Sequence, residues 1–344
     1  MSRLQSVDVL RTLAIISVIA IHTRPFESPS APIGATLDVA TFVNQVARFA
    51  VPFFFVISGY FWASKFTDER QLFAPTVKRV KRIAFIFSAW SAIYLLPIDI
   101  IDAFAYGPLG PLKTIYWNLA NAVNEPLTTI LEGTKVHLWF LMGLMCSLII
   151  SSAFLRFNLK WCLIAVAATL YSIGLAGKAY ADTPIGFHVG FNFRDGPFFS
   201  LIFFVTGYLL QRSGPKESWL FKGIFLSVLG VFMHFAELLA IQRFWGTTMN
   251  QDYVIGTYFL GVGVALIALS NTKKLHFPTI ASVGPLVLGI YASHFAFVAI
   301  LKPLDRELSG SSIWDVSYVV AVFFLSYFMT FILSKYRLTR RLVV

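Results

Sequence analysis

The stretch DVLRTLAIISVIAIH, residues 8–22, decides what kind of fold this chain adopts. Leu, Ile, Val and Ala fill most of it, as in a helix buried in a lipid bilayer, yet it carries the ionisable Asp8, Arg11 and His22. Charge at membrane depth is costly, so such groups face a bundle interior or a watery cavity and mark functional sites by default. Arg11 and His22 stand eleven residues apart, close to three turns at about 3.6 residues per turn, and therefore point the same way. Asp8 shares that face to within about 60°. Helical rise separates Arg11 from His22 by about 16 Å. The spacing predicts one polar stripe along much of a membrane-spanning helix. An Asp8–Arg11 pair and a His22 that simply rest at the two interfaces are the plainer alternative.

The rest of the chain agrees with a membrane setting. Of 344 residues, 57% are hydrophobic and 13% charged, and mean hydropathy is +0.72. Soluble domains carry about 25% charged residues. A spanning helix needs about 20 mostly apolar residues. Ten segments qualify: 7–23, 39–62, 83–104, 137–155, 161–177, 197–210, 219–241, 253–270, 280–301 and 313–334. The longest connection runs from 105 to 136. The expected fold is an all-α integral-membrane bundle of about ten transmembrane helices in a single domain, 1–344, with no appended soluble domain. Arg11 interrupts the first apolar stretch and no small-residue cleavage pattern follows His22, so that stretch is expected to be a retained helix rather than a signal peptide.

Charge distribution orients the bundle. With the N-terminus inside, 18 of the 28 basic residues fall on inner segments, among them Arg3, Lys78, Arg79, Lys81 and Arg82. Twelve of the 17 acids fall on outer segments; Asp8, Asp68, Glu69 and Glu217 are inner, and Glu237 lies within a helix. This bias predicts that both termini are cytoplasmic. It also excludes the nucleic-acid partner that a net charge of +11 would otherwise suggest, because the basic residues are spread over several loops. Prolines 25, 29 and 32 mark the exit from the first segment. Cys146 and Cys162 both sit in apolar segments and read as ordinary packing residues.

Two further patterns stand out. RFAVPFFFVISGY (48–60) and RDGPFFSLIFFVTGY (194–208) echo each other, as internal repeats of transporters do, although aromatic helices also resemble one another by chance. His137, His188, His234 and His294 fall at or near the outer side, His234 with Glu237 at i,i+3. Histidine suits proton transfer near neutrality. No zinc, Walker or dinucleotide motif is present, so neither a metal nor a bound cofactor is expected. KRVKR (78–82), expected to precede the third helix, can hold anionic phosphates or anchor to lipid headgroups.

These residues resemble the acyltransferase 3 family, integral-membrane enzymes that O-acylate bacterial surface glycans. The resemblance rests on Arg11 and His22 separated by ten residues, with Asp8 before them. FFFVISGYFW carries Ser58 and Tyr60 of a Ser-Gly motif. Arg79 and Arg82 match a cytoplasmic pair of arginines separated by two residues. HLWFL (137–141) and LGIYASHF (288–295) match a Trp motif and a Tyr-x-x-His motif. The motifs occur in order over nearly the whole chain, which looks closest to compact polysaccharide O-acetyltransferases of enteric type. The resemblance implies a multi-pass protein of the bacterial cytoplasmic (inner) membrane. The donor substrate would be acyl-CoA, acetyl-CoA foremost, and the acceptor a hydroxyl of a glycan or lipid-linked saccharide. Arg79, Arg82 and Arg11 would hold the donor, His22 would serve as general base, and Asp8 would orient Arg11. Arg48, Ser58, Tyr60, His137, Trp139, Arg194, Glu237, Tyr291 and His294 would bind the acceptor or stabilise the oxyanion; hydrogen bonding between helices is their other reading. A transporter or flippase for a lipid-linked sugar is the rival class, with the possible repeat and the intramembrane charges in its favour.

Overall fold

A computed structural model describes residues 4–28, 30–214, 216 and 218–343; Arg3, Pro29 and Glu217 lie outside them. The described residues form helices and no strands. In chain order these are α1 (Gln5–Thr23), α2 (Val39–Ala47), α3 (Ala50–Ala63), α4 (Phe73–Ile93), α5 (Ile100–Phe104), α6 (Gly110–Asn124), α7 (Pro126–Glu132), α8 (Trp139–Arg156), α9 (Lys160–Ala176), α10 (Pro197–Ser213), α11 (Trp219–Trp245), α12 (Ile255–Leu269), α13 (Pro278–Ala281), α14 (Val287–Leu308), α15 (Ser312–Lys335) and α16 (Arg340–Val343).

Among the described residues, six helical stretches are long and apolar enough to cross a membrane: Gln5–Thr23, Val39–Ala63, Val136–Arg156, Trp219–Trp245, Pro278–Leu308 and Ser312–Lys335. α9 and α12 are shorter apolar helices. α11 turns Phe221, Phe225, Val228 and Phe232 outward, all more than 60% exposed. Such a stripe is tolerable where the surroundings are lipid.

Proline sets three departures from the expected segments. Segment 39–62 is two helices broken at Arg48 and Phe49. The Pro52 ring crowds the carbonyl four residues back, at Arg48, and lacks a donor for it. Segment 280–301 is likewise broken: Pro285 stands four residues after Ala281, where α13 ends, and α14 begins only at Val287. The third segment, expected at 83–104, starts ten residues earlier as α4 and stops at Ile93. Pro97 disfavours helix at the residue before it, and Asp99 then caps α5 by accepting from the Asp102 N–H at 3.2 Å. KRVKR therefore lies within α4 instead of preceding the helix. The 105–136 connection is itself largely helical, as α6 and α7.

The two echoing segments meet. Phe55 packs on Phe199, and Trp62 on Phe204 and Tyr208, so α3 and α10 run the same way side by side. Gly59 and Gly207, the glycines of the two Gly-Tyr pairs, make the approach possible. A Cβ on Gly59 would lie 2.0 Å from the Phe204 carbonyl oxygen, and one on Gly207 would lie 1.9 Å from that of Val56. Small residues at a crossing are the usual means of close helix packing in membranes. Gly207→Ala should cost about 1–3 kcal/mol by overpacking, read as a lower melting temperature of the detergent-solubilised protein. An unchanged melting temperature would refute this packing.

Candidate active site

α1 carries its polar stripe against α13 and α14. At one end Asp8, buried, pairs with Arg11 at 3.1 Å. Gly284 leaves room for it: a Cβ there would stand 2.6 Å from the Asp8 side chain. The Arg11 guanidinium also lies 5.1 Å from the centre of the Phe61 ring. Arg79 and Arg82 come to the same place from α4, Arg79 donating to the Ser58 carbonyl oxygen at 3.4 Å. All three arginines and Ser58 line a cavity of about 330 Å³ whose walls continue along Phe140 and Leu288 to Tyr291. Tyr60, by contrast, is buried in the core against Phe61.

Beyond Tyr291 three imidazoles lie together. The His22 and His294 rings are 5.3 Å apart, and those of His294 and His137 are 5.0 Å apart. Phe295 touches all three, edge-on to His22 at 4.8 Å and to His294 at 5.7 Å, and stacked on His137 at 4.8 Å. The backbone fixes two tautomers. A carbonyl oxygen only accepts, so His294 donates through Nδ1–H to the Tyr291 carbonyl at 2.6 Å, and His137 through Nε2–H to that of Ala292 at 3.3 Å. The opposite nitrogens, Nε2 of His294 and Nδ1 of His137, are buried with no hydrogen-bond partner among the described residues. In a neutral ring each carries a lone pair. The Tyr291 hydroxyl donates to the His137 carbonyl, and the Tyr94 hydroxyl to that of Ala292 at 2.7 Å. The helix carrying Tyr291 and His294 is thereby tied to the turn before α8 and to the end of α4.

A network of charges adjoins this cluster, and Arg48, Arg194 and Asp252 act on the His22 ring through space. Arg48 pairs with Asp252 at 2.8 Å and also donates to Asn44 and Asn250. Lys178 pairs with Asp252 at 3.0 Å. Arg194 pairs with Glu132 at 2.7 Å and lies 3.8 Å from Asp252, its guanidinium 4.9 Å from the centre of the Trp139 ring. Burial opposes the Asp252 charge, but Arg194, Arg48 and Lys178 together hold this carboxyl well below the usual range. Burial pushes Asp195 up to about 7 against the pull of Arg194, and Glu132 adds to the rise. The fold thus binds a proton at Asp195 more tightly than the unfolded chain does. The stability this contributes is present below about pH 4 and lost as pH rises towards 7. Wild type should therefore lose melting temperature relative to Asp195→Asn between pH 4 and 7. A constant difference would refute the shift.

The structure brings Arg11, Ser58, Arg79, Arg82 and Tyr291 around one cavity, with Asp8 paired to Arg11, and sets His22, His137 and His294 beyond it. It joins Arg48, Trp139 and Arg194 in the charge network. It leaves Glu237 elsewhere. That carboxylate accepts from the Gly256 N–H at 2.6 Å and the Ile255 N–H at 3.2 Å, capping α12, and from the Tyr180 hydroxyl. In this structure the carboxylate expected at the acceptor serves as a helix cap. Its neighbour His234 is buried between Thr257 and Gln45, each at 3.0 Å. Exposed His188 pairs with Asp182. The sequence reading missed Glu132, Lys178, Asp195 and Asp252, although an Arg48 and an Arg194 near membrane depth require counter-charges. No group of three potential ligands that could hold a metal occurs among the described residues.

Comparison with known proteins completes the picture. No solved structure matches the chain. It is similar to an amino-acid racemase of Enterococcus faecalis, 26% identical over 262 residues, covering 72% of this chain and 34% of that protein. It is similar to a serine/alanine racemase of Enterococcus gallinarum, 27% identical over 263 residues, covering 68% and 33%. A further amino-acid racemase of Enterococcus faecalis is 25% identical over 365 aligned positions, covering 98% of this chain and 48% of the relative. The chain spans between about a third and a half of the length of these curated relatives. The family profile described as an acyltransferase domain matches residues 4–334, nearly the whole chain. With its apolar spanning helices and the polar stripe of α1, the chain is a multi-pass membrane protein that belongs to the acyltransferase 3 family.

Proposed function

We propose that this protein transfers an acyl group, acetyl foremost, from acyl-CoA to a hydroxyl of a surface or lipid-linked glycan. The cavity that begins among Arg11, Arg79 and Arg82 and ends at Tyr291, beside the histidines, carries the reading. Three guanidiniums at one mouth suit the phosphates of CoA, since Arg meets phosphate through paired, charge-assisted bonds. The pantetheine arm then lies along the apolar wall, with the thioester carbonyl at the histidine end. His22 takes the proton of the acceptor hydroxyl as general base. The oxygen attacks the thioester carbon and the C–S bond breaks. His22 returns the proton to the departing sulfur, leaving an O-acyl ester and free CoA thiol.

Other residues position these groups. Asp8 orients Arg11. The lone pairs of His294 Nε2 and His137 Nδ1 accept a hydrogen bond from the His22 ring or from the acceptor. Tyr291 already donates to a carbonyl, so its part is to close the cavity and hold α14. Trp139 carries Arg194 on its face, and Arg194 and Arg48 set the field around His22. We place the whole of 1–344 in one acyltransferase unit of the bacterial cytoplasmic membrane, with the arginine mouth and both termini towards the cytoplasm, where acyl-CoA is found. Racemisation is not carried over, because that name belongs to proteins of which this chain covers at most about half.

Mass spectrometry of surface glycans from cells with and without the protein tests the proposal. O-acyl groups should disappear with the protein; unchanged acylation would refute it. The paired echo helices α3 and α10 favour a second reading, a lipid-linked sugar flippase, which requires no thioester consumption.

A further inference from the structure

A second cavity approaches the histidine cluster from another side. It measures about 250 Å³ and lies between the turn after α4, α5, α6 and α14, with Lys135 from the segment before α8. Phe295 lines it, and the same ring packs against His22, His137 and His294. Tyr94, the edge-on neighbour of His137, lines it as well. One layer of aromatic side chain thus separates this cavity from the proposed base.

Its chemistry differs from that of the arginine cavity. Tyr106 and Trp117 stand at its rim as an edge-to-face pair with ring centres 5.1 Å apart, both more than 40% exposed. Asp99, Asn118 and Lys135 add acceptors and donors around the same space. A sugar ring presents apolar C–H faces, which pack on aromatic rings, and a rim of hydroxyls, which bond to carboxylates, amides and ammonium groups. Three guanidiniums would bind a polyanion; this set matches a neutral polyhydroxylated ring. The volume is just below the range of about 300–1,000 Å³ for drug-sized ligands, a size suited to one sugar residue with the rest of the glycan outside.

We infer that the cavity lined by Tyr106, Trp117, Asp99, Asn118, Lys135 and Phe295 is the acceptor subsite and that it binds a glycan sugar whose reacting hydroxyl passes the Phe295 ring to reach His22. The inference rests on the proposed acyl transfer and adds where the acceptor enters. Donor and acceptor then reach the histidines through different cavities, so neither must leave for the other to bind.

The test uses the full-length purified protein with acetyl-CoA as donor and the methyl glycosides of glucose, galactose and mannose as acceptors, alongside O-acetyl content of surface glycans from cells carrying each variant. Trp117→Ala should raise the acceptor KM at least tenfold and leave the acetyl-CoA KM within twofold. Asn118→Trp, which plugs the cavity, should abolish glycan acetylation in cells while the purified variant keeps wild-type acetyl-CoA affinity. Leu119→Ala, an exposed change on the same helix outside the cavity, should alter neither. Full acetylation by Asn118→Trp, or a Trp117→Ala effect confined to the acetyl-CoA KM, would overturn the subsite. Wild-type turnover of acetyl-CoA that none of the three glycosides accelerates would overturn its sugar chemistry. Failure of the wild type to consume acetyl-CoA at all would instead overturn the proposed function.

Discussion

Replacing His22 with Ala is expected to abolish acyl transfer while the protein remains folded in the membrane. A positioned general base contributes about 10²–10⁴-fold to a rate, and no other ring stands on α1 beside both His294 and Phe295. The structural cost is small in comparison. His22 is half-buried at the end of α1, and its ring contacts are those two side chains. The variant should therefore insert and melt nearly as wild type does. Release of CoA thiol per mole of folded protein checks the rate, and size-exclusion chromatography in detergent checks the fold. Wild-type turnover by His22→Ala would move the base to His294, whose Nε2 lone pair is buried within the same cluster.

The second large effect concerns the donor. Arg79→Ala with Arg82→Ala should weaken acyl-CoA binding sharply and leave the chemistry of bound donor little changed. A hydrogen bond to a charged group is worth about 1.5–3 kcal/mol, or about 10- to 100-fold in affinity for each arginine. The loss should appear in the acetyl-CoA KM far more than in kcat, and wild-type binding should weaken with added salt, as contacts between exposed charges do. Unchanged donor affinity in the double variant would return these arginines to a lipid-headgroup role.

How much of this was readable in the sequence depends on the kind of contact. The α1 stripe was legible because eleven residues close three turns, and the structure sets Arg11 against one cavity and His22 against the ring cluster beyond it. The helix breaks were less legible, though their signals were present: Pro52 and Pro285 act on the residue four positions back, which shifts the break away from the proline itself. The charge network was hidden for a different reason. Arg48 meets Asp252 across 204 residues and Arg194 meets Glu132 across 62, and helical periodicity cannot report which loops converge. Glu237 misled because its position within an apolar helix suggests function, whereas here it caps the neighbouring α12. The echo of 48–60 and 194–208 gained a physical meaning: its shared glycines let the two helices touch.

Thiol release by the purified protein separates an acyltransferase from a sugar flippase most directly. Reconstituted into vesicles with acetyl-CoA and a lipid-linked sugar, the protein should release one free CoA thiol for each O-acetyl ester formed, and His22→Ala should release none. Movement of the sugar across the vesicle membrane with the thioester intact would contradict the assignment.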